Sequence, residues 1–302
     1  MSQFYSHGKL LITGEYLVLD GAKALAVPTV FGQDLSVKKN DSNKIHWKSF
    51  DHMGEVWFET ELDANLLPCQ KDQKSPDIEL RLIQILKEAK KLNPLFLHDD
   101  QGCLLETKLE FDRNWGLGTS STLINNIASW AEIDAFELLQ RSIGGSGYDI
   151  ACAQQDHPIL YSLDQGHPQI QEAKFNPAFK ENLFFVFLNQ KQNSREGIAR
   201  YKSNPHMSKQ VFSEIDLITQ EVILCKELNR FDELIAEHEK IISSIIKIEP
   251  VQKIMFKDYF GQIKSLGAWG GDFILATGNE LTPDYFAKKG FKTVIPYREM
   301  VL

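Results

Sequence analysis

Seven residues, Trp115-Gly116-Leu117-Gly118-Thr119-Ser120-Ser121, constrain this chain more than any other stretch. The segment before them, Leu104 to Phe111, alternates apolar and charged side chains as a half-buried strand does. An apolar-periodic run from Leu123 to Ile133 follows them. The pattern predicts strand, glycine turn, helix. A helix start with small residues leaves backbone amides free to bind an anion. The consecutive hydroxyls of Thr119, Ser120 and Ser121 add donors and candidate magnesium ligands. The expectation is phosphate binding, and a nucleoside triphosphate in particular. A serine-capped turn without a ligand is the plainer alternative. No Gly-x-x-x-x-Gly-Lys-Ser/Thr sequence occurs and the glycines stop at Gly118, so neither a Walker loop nor a dinucleotide fingerprint fits.

The 302 residues suit one large or two medium domains. A net charge of −8, with lysines and arginines scattered apart from short pairs such as Lys90-Lys91 and Lys288-Lys289, argues against a nucleic-acid partner. Cys69, Cys103, Cys152 and Cys225 form no CxxC pair and have no histidine at zinc spacing, so they read as isolated thiols of a reducing compartment. The histidines, His206 and His238 among them, show no metal spacing and are expected on the surface. The start of the chain shows no leader pattern, and Lys9 to Leu19 is too short and too charged for a membrane span. A cytoplasmic protein with no membrane partner is expected.

Leu10 to Leu19 and Ala24 to Val37 read as strands, and Ile45 to Phe50 with Glu55 to Leu62 as a hairpin. Ser75-Pro76-Asp77 opens a helix that runs to about Leu92, where Pro94 ends it. A second helical piece around Phe136 to Arg141 and a strand from Pro158 to Leu163 follow the glycine turn and its helix. The polar, proline-bearing stretch from Gly166 to Pro177 predicts a boundary, with domains at 1–168 and 169–302. Beyond it come an apolar strand, Leu183 to Leu188, and helices at about Pro205 to Glu227, Arg230 to Ile246 and Val251 to Ile263. Two short strands, Phe273 to Thr277 and Lys292 to Pro296, flank a last helix. Interspersed strands and helices, with helices concentrated late, predict a two-domain α+β protein.

Three glycine-bearing segments stand in order along the chain: Gly8 to Tyr16, Gly116 to Ser121, and Ser265 to Asp272. Together they resemble the three motifs of the GHMP kinases, the family of galactokinase, homoserine kinase, mevalonate kinase and phosphomevalonate kinase. The likeness is greatest to the mevalonate-pathway branch. It rests on Gly8 to Leu19, on Ser146-Gly147-Tyr148-Asp149-Ile150-Ala151, whose Gly-Tyr-Asp-Ile-Ala wording looks like a bacterial subgroup, and on Gly270-Gly271-Asp272. The resemblance implies the two-domain fold of that family, with a ribosomal protein S5 domain 2-like N-terminal domain and a ferredoxin-like C-terminal domain. It also implies an ATP- and magnesium-dependent kinase acting on phosphomevalonate or mevalonate, as a monomer or homodimer. Another small alcohol or sugar is an alternative acceptor, and a non-catalytic binding protein that keeps the fold is the rival.

By the same resemblance, Gly116, Leu117, Gly118, Thr119, Ser120 and Ser121 would cradle the phosphates, with Ser120 on magnesium. Gly267, Ala268, Trp269, Gly270 and Gly271 would close over them. Asp149 would be the catalytic base, and Lys9 would set its ammonium beside Asp149 and the transferring phosphoryl group. Ser146, Gly147, Lys191, Ser194 and Arg195 would face the substrate, and Glu15 and Tyr16 would either touch it or support the first strand. The chain departs from the family pattern at Trp115, Thr119, His7 and Trp269. Trp269 stands where relatives carry glycine and is expected to narrow the phosphate loop or stack on a ligand. Magnesium lacks an obvious glutamate ligand, for which Glu132 and Glu137 are stand-ins.

Overall fold

Left-handed backbone at Gly14 (φ 86°) and Tyr16 (φ 65°) breaks the first apolar stretch, so its strand ends early and a single 3-10 turn, Leu17–Asp20, takes the rest. The computed structural model describes residues 1–69, 76–97, 102–191, 194–203 and 208–302, with the side chains of Ser194 and Arg195 outside that description. Its strands and helices run in the order β1 (Ser2–Leu11), β2 (Ala24–Lys39), β3 (Ile45–Phe50), β4 (Val56–Leu62), α1 (Pro76–Leu92), β5 (Cys103–Leu109), α2 (Thr119–Ala131), α3 (Ala135–Ser142) and α4 (Tyr148–Ala153). There follow β6 (Ile159–Asp164), β7 (His167–Glu172), β8 (Leu183–Phe187), α5 (Ser194–Lys202), α6 (Lys209–Leu224), α7 (Leu228–Ile246), α8 (Val251–Met255), β9 (Ile263–Ser265), β10 (Phe273–Thr277), α9 (Thr282–Lys288), β11 (Val294–Pro296) and α10 (Tyr297–Met300).

The chain forms two units. One comprises Met1–Gly8, Phe31–Arg113 and Gly118–Gln154, the other Lys9–Val30, Asn114–Leu117 and Gln155–Leu302. The chain passes between them several times, whereas the sequence suggested a single boundary at 168/169. That position falls inside β7, which pairs antiparallel with β6 from Asp164↔His167 to Ile159↔Glu172. The polar composition that suggested a linker belongs instead to an exposed strand.

In the first unit β4 pairs antiparallel with β3, β3 parallel with β5, and β5 antiparallel with Gln33–Lys39 of β2. Helix α1 buries Leu82, Ile85, Leu86 and Ala89, the i, i+3, i+4, i+7 face of an amphipathic helix. These pack with Leu35, Trp47, Leu105, Ile124, Ile127 and Leu138 in one core. Asp134 caps α3 by accepting from the amides of Phe136 and Glu137. Helix α2 is anchored by buried polar groups: the Ser6 hydroxyl donates to Asn126 Oδ1 (2.7 Å), Asn126 Nδ2 to the Gln33 carbonyl (2.9 Å), and the Thr122 hydroxyl to Gln33 Oε1 (2.6 Å). Gln154, just past α4, donates to Asn125 Oδ1 (2.9 Å). Such satisfied buried polar contacts fix rotation and register more than apolar packing does.

In the second unit Ala24–Ala26 of β2 pairs with β6, and a separate antiparallel sheet runs β11-β8-β10-β9. Strands β8 and β10 are buried throughout, as their continuous apolar runs require. The helix expected from Val251 to Ile263 stops at Met255, and its last residue, Ile263, opens β9. Ser75 and Pro205, expected at helix starts, lie outside the described residues, as does His206. All four cysteines are free thiols, with Cys103 and Cys152 buried and Cys69 exposed. Among the described residues no helix is long and apolar enough to cross a membrane.

Candidate functional site

In the second unit the three motif segments meet at Gly116. The Lys9 amide donates to the Leu117 carbonyl (2.9 Å), and Lys9 Nζ donates to the Gly116 carbonyl (2.9 Å). Gly116 has φ 67°, and a Cβ there would stand 2.5 Å from the carboxylate of Asp272. Glycine is therefore required at 116 by both backbone conformation and close approach. Trp115, half-buried, sets its ring edge against Phe273 with centroids 5.5 Å apart, which seats the turn on the end of β10.

The third motif follows β9 and is built from left-handed residues: Gly267 (φ 58°), Trp269 (φ 54°), Gly270 (φ 85°) and Asp272 (φ 52°). The segment after β8 ties it down. Gln190 Nε2 donates to the Gly270 carbonyl, the Asp272 amide to the Gln190 carbonyl (2.8 Å), and the Leu188 amide to the Asp272 carbonyl (2.8 Å). The Trp269 indole, expected to narrow the loop or stack on a ligand, lies in the core. It is 1% exposed and packs with Tyr16, Leu17, Tyr201, Ile215 and Ile242, while Gly267 and Gly270 keep part of their surface. Its backbone takes the conformation a glycine would, and burial of the indole offsets the left-handed cost.

Beneath this loop lies a cluster of ionisable side chains. Lys264 Nζ donates to Glu15 Oε1 and to the Ser265 carbonyl, and stands 3.4 Å from Glu239 Oε1. Glu239 accepts from the Ser265 amide (3.1 Å) and hydroxyl (2.9 Å). His238 Nε2 accepts from the Gly14 amide (2.9 Å). Burial pushes the Glu15 carboxyl up to about 7, against the opposing pull of the Lys264 ammonium. It also raises Glu239, and it holds His238 well below the usual histidine range, with Lys264 adding to the effect.

Glu15, expected at the substrate, is thus 1% exposed with its carboxylate bonded to Lys264. Tyr16 is also buried, its ring stacked 6.0 Å from that of Tyr201. His238, expected on the surface, is fully buried. The sequence did carry a signal for these groups. On α7 the apolar face reads Phe231, Leu234, Ile235, Ile242, Ile245 and Ile246, and the two positions that continue it are His238 and Glu239. Polar residues on a core stripe mark a buried network. Gln190 and Lys264 had no such mark.

The first unit holds the hydroxyls and the carboxylate. Gly118 (φ 96°) is the N-cap of α2 and has no side chain to close the helix mouth. Ser120 is exposed and Thr119 half-buried, whereas Ser121 is buried with its hydroxyl donating to the Gly118 carbonyl (2.8 Å). Asp149 lies half-buried in the first turn of α4, after Ser146 and Gly147, which are buried; its Oδ1 accepts from the Ile150 amide (3.1 Å). Neither stand-in magnesium ligand fits beside Ser120. Glu132 caps the opposite end of α2, a helix of 13 residues and so about 20 Å long, and Glu137 is exposed and paired with Arg141 (2.6 Å). Among the described residues no cluster of three or more His, Cys, Asp or Glu side chains could hold a metal.

Lys9 belongs to the second unit and Ser120 and Asp149 to the first, so their convergence remains a proposal. Lys191 is exposed beyond β8, and Ser194 and Arg195 open α5. A cavity of about 430 Å³ in the second unit is lined by His157, Glu172, Lys174, Lys180 and Arg298 and contains no motif residue.

No family model matches the sequence, and no curated protein matches it. Solved structures do. Mevalonate kinase of Methanococcus jannaschii is 15% identical, with 95% of this chain and 94% of that one covered at a TM-score of 0.70. Streptococcus pneumoniae phosphomevalonate kinase, solved with phosphomevalonate and AMPPNP, is 16% identical over 97% and 99% at 0.69. Lactococcus lactis galactokinase, solved with galactose, is 14% identical over 95% and 88% at 0.63. The chain has the fold of the GHMP kinases, along nearly its whole length.

Proposed function

We propose that this protein is a small-molecule kinase that transfers the γ-phosphoryl group of ATP to a mevalonate-type acid. The observation that carries the reading is the meeting of Lys9, Gly116 and Asp272, one residue from each motif, around a glycine turn that leads into an uncapped helix start. Phosphoryl transfer needs positioning and stabilisation of spread negative charge more than covalent chemistry. The residues present fit a triphosphate. The α2 amides and Gly118 would supply the anion cradle, Ser120 would offer its exposed hydroxyl to magnesium, and Lys9 would supply a cation from the turn. Magnesium, when bound, would neutralise phosphate charge. Asp149 would accept or orient the proton of the acceptor oxygen.

Phosphomevalonate is favoured over mevalonate by the likeness of Gly270-Gly271-Asp272 and of Ser146 to Ala151 to phosphomevalonate kinases. Lys191 and Arg195 would be the cations for the extra phosphate. The neighbour solved with phosphomevalonate and AMPPNP supports both ligands. The inward Trp269 removes one ground for a binding-only protein. That rival now rests on magnesium ligation alone.

The test is a thermal-shift titration with magnesium-ATP, followed by coupled ADP release over mevalonate, phosphomevalonate and galactose. Saturation at some hundred times Kd should stabilise the protein by roughly 3 kcal/mol. Turnover of one acid above the others supports the reading. Binding without turnover on any acceptor would favour the rival.

A further inference from the structure

The cluster under the third motif holds two carboxylates, one ammonium and one imidazole, all inaccessible or nearly so. Fully ionised, the carboxylates and the ammonium would leave one uncompensated negative charge in the interior, which is strongly unfavourable. The hydrogen bonds show where a neutralising proton belongs. Both oxygens of Glu239 accept from Ser265, so Glu239 is the ionised partner of Lys264. The Nε2 lone pair of His238 accepts from the Gly14 amide, which puts the ring proton on Nδ1 and leaves the imidazole neutral. Glu15 Oε2 makes no other hydrogen bond and faces that same Nε2 at 3.4 Å. The Gly14 amide already occupies that nitrogen's one lone pair, so an ionised Oε2 would set a negative charge against an atom with no proton to offer, and a proton on Oε2 removes that charge.

We propose that Glu15 and Lys264 are positioning residues for the Gly267–Gly271 loop, with Glu15 protonated on Oε2, so that loss of this one proton loosens the loop. The mechanical path is short. Lys264 and Ser265 form the end of β9, and Leu266 leads directly into the loop. Lys264 holds the Ser265 carbonyl, Glu239 holds the Ser265 amide and hydroxyl, and Glu15 holds Lys264. On the other side, the Gly14 turn is pinned through His238, and a Cβ at Gly14 would stand 2.7 Å from Ala24 Cβ, so this turn has little room to adjust. Deprotonation of Glu15 places a second negative charge against Lys264 and beside the proton-free Nε2 of His238. Lys264 is then pulled between two carboxylates, and the Ser265 contacts weaken.

The titratable groups that face Glu15 are Lys264 from β9 and His238 and Glu239 from α7. Helix α6 brings Thr219 to Thr13 and Asp216 to the Lys23 amide, and α5 brings Tyr201 beside Tyr16. The burial that raises Glu15 to about 7 puts the transition in an accessible range.

The inference stands without the kinase reading, because its test needs no ligand. Hydrogen exchange of the amides of 265–272 is measured on the full chain from pH 4.5 to 8.5, corrected for intrinsic base catalysis. Protection in this segment should fall between about pH 5 and pH 7 by up to about tenfold per pH unit, the slope of a single-proton linkage, and level off above 7, while β3 and β4 stay level. Glu15→Gln, a neutral side chain of the same shape, should keep protection high and flat. Lys264→Met should lose it at every pH, and Lys264→Arg should restore part of it. A flat wild-type profile, or a Glu15→Gln profile with the wild-type slope, overturns the proposal. Should the variants not fold, the carboxyl carbon resonance of Glu15 in the wild-type chain decides: titration with a midpoint below 5 overturns it too. Loop protection that follows pH in a protein that binds no nucleotide would sink the kinase reading alone.

Discussion

Lys9 Nζ donates to the carbonyl oxygen of Gly116 at 2.9 Å, across 107 positions of sequence. That bond puts a cation of the first motif on the glycine turn of the second. If Lys9 offsets charge on a transferring phosphoryl group, Lys9→Ala should lower kcat by about 10²–10³-fold and leave Tm nearly unchanged. Asp149→Asn should lower kcat by about 10²–10⁴-fold with magnesium-ATP affinity retained, and Ser120→Ala should raise the magnesium concentration needed for half-activity. Coupled ADP-release kinetics with a magnesium titration reads all three. Unaltered turnover in Asp149→Asn removes that residue from the base role.

Gly116→Ala meets two obstacles, a left-handed backbone at φ 67° and the Asp272 carboxylate 2.5 Å from the new Cβ. A loss of about 2–3 kcal/mol in urea unfolding is expected. In an Asp272→Ala background the steric part disappears and about 1 kcal/mol of backbone cost should remain. Equal losses in both backgrounds would mean that the carboxylate moves aside freely.

Trp269→Gly removes a buried indole and relieves a left-handed non-glycine residue (φ 54°). Loss of packing outweighs relief of strain, so the variant should be less stable by about 2–4 kcal/mol. Nucleotide affinity at a temperature where the variant is folded should change little. A weakened affinity with stability intact would return the indole to the ligand.

Glu15 gives the folded protein a definite pH dependence. Its folded value of about 7 lies above the 4.5 of the free side chain, so the folded state holds its proton more tightly. The associated stability is fully present below pH 4.5 and is lost as pH rises through 7. Across that window wild type should lose up to about 3 kcal/mol relative to Glu15→Gln. Denaturant titrations of both chains at several pH values give the difference directly, and parallel curves would show that Glu15 does not bind a proton there.

Legibility in the sequence followed the range of the physics. Elements set by local pattern were readable: the alternation before Phe111 forms β5, the Pro76 start and Leu92 end of α1 match, and the hairpin of β3 and β4 closes around Asp51 to Gly54. The boundary expected near residue 168 falls inside β7, because exposed edge strands and linkers share a polar composition. The helix expected from Val251 to Ile263 ends at Met255, and of its residues only Ile263 joins a strand, paired with Ala276 of β10.

By itself the sequence determined where the backbone can turn and where it must stay regular. Glycines at 14, 116 and 118 and the periodicity of the long helices are properties of neighbouring residues, and φ/ψ sterics act over that range. Only the tertiary structure decided which way side chains face and which charges lose their water. Trp269 points into the core, and Glu15, His238, Glu239 and Lys264 share one dry cluster, because burial and ion pairing depend on partners brought together from distant parts of the chain.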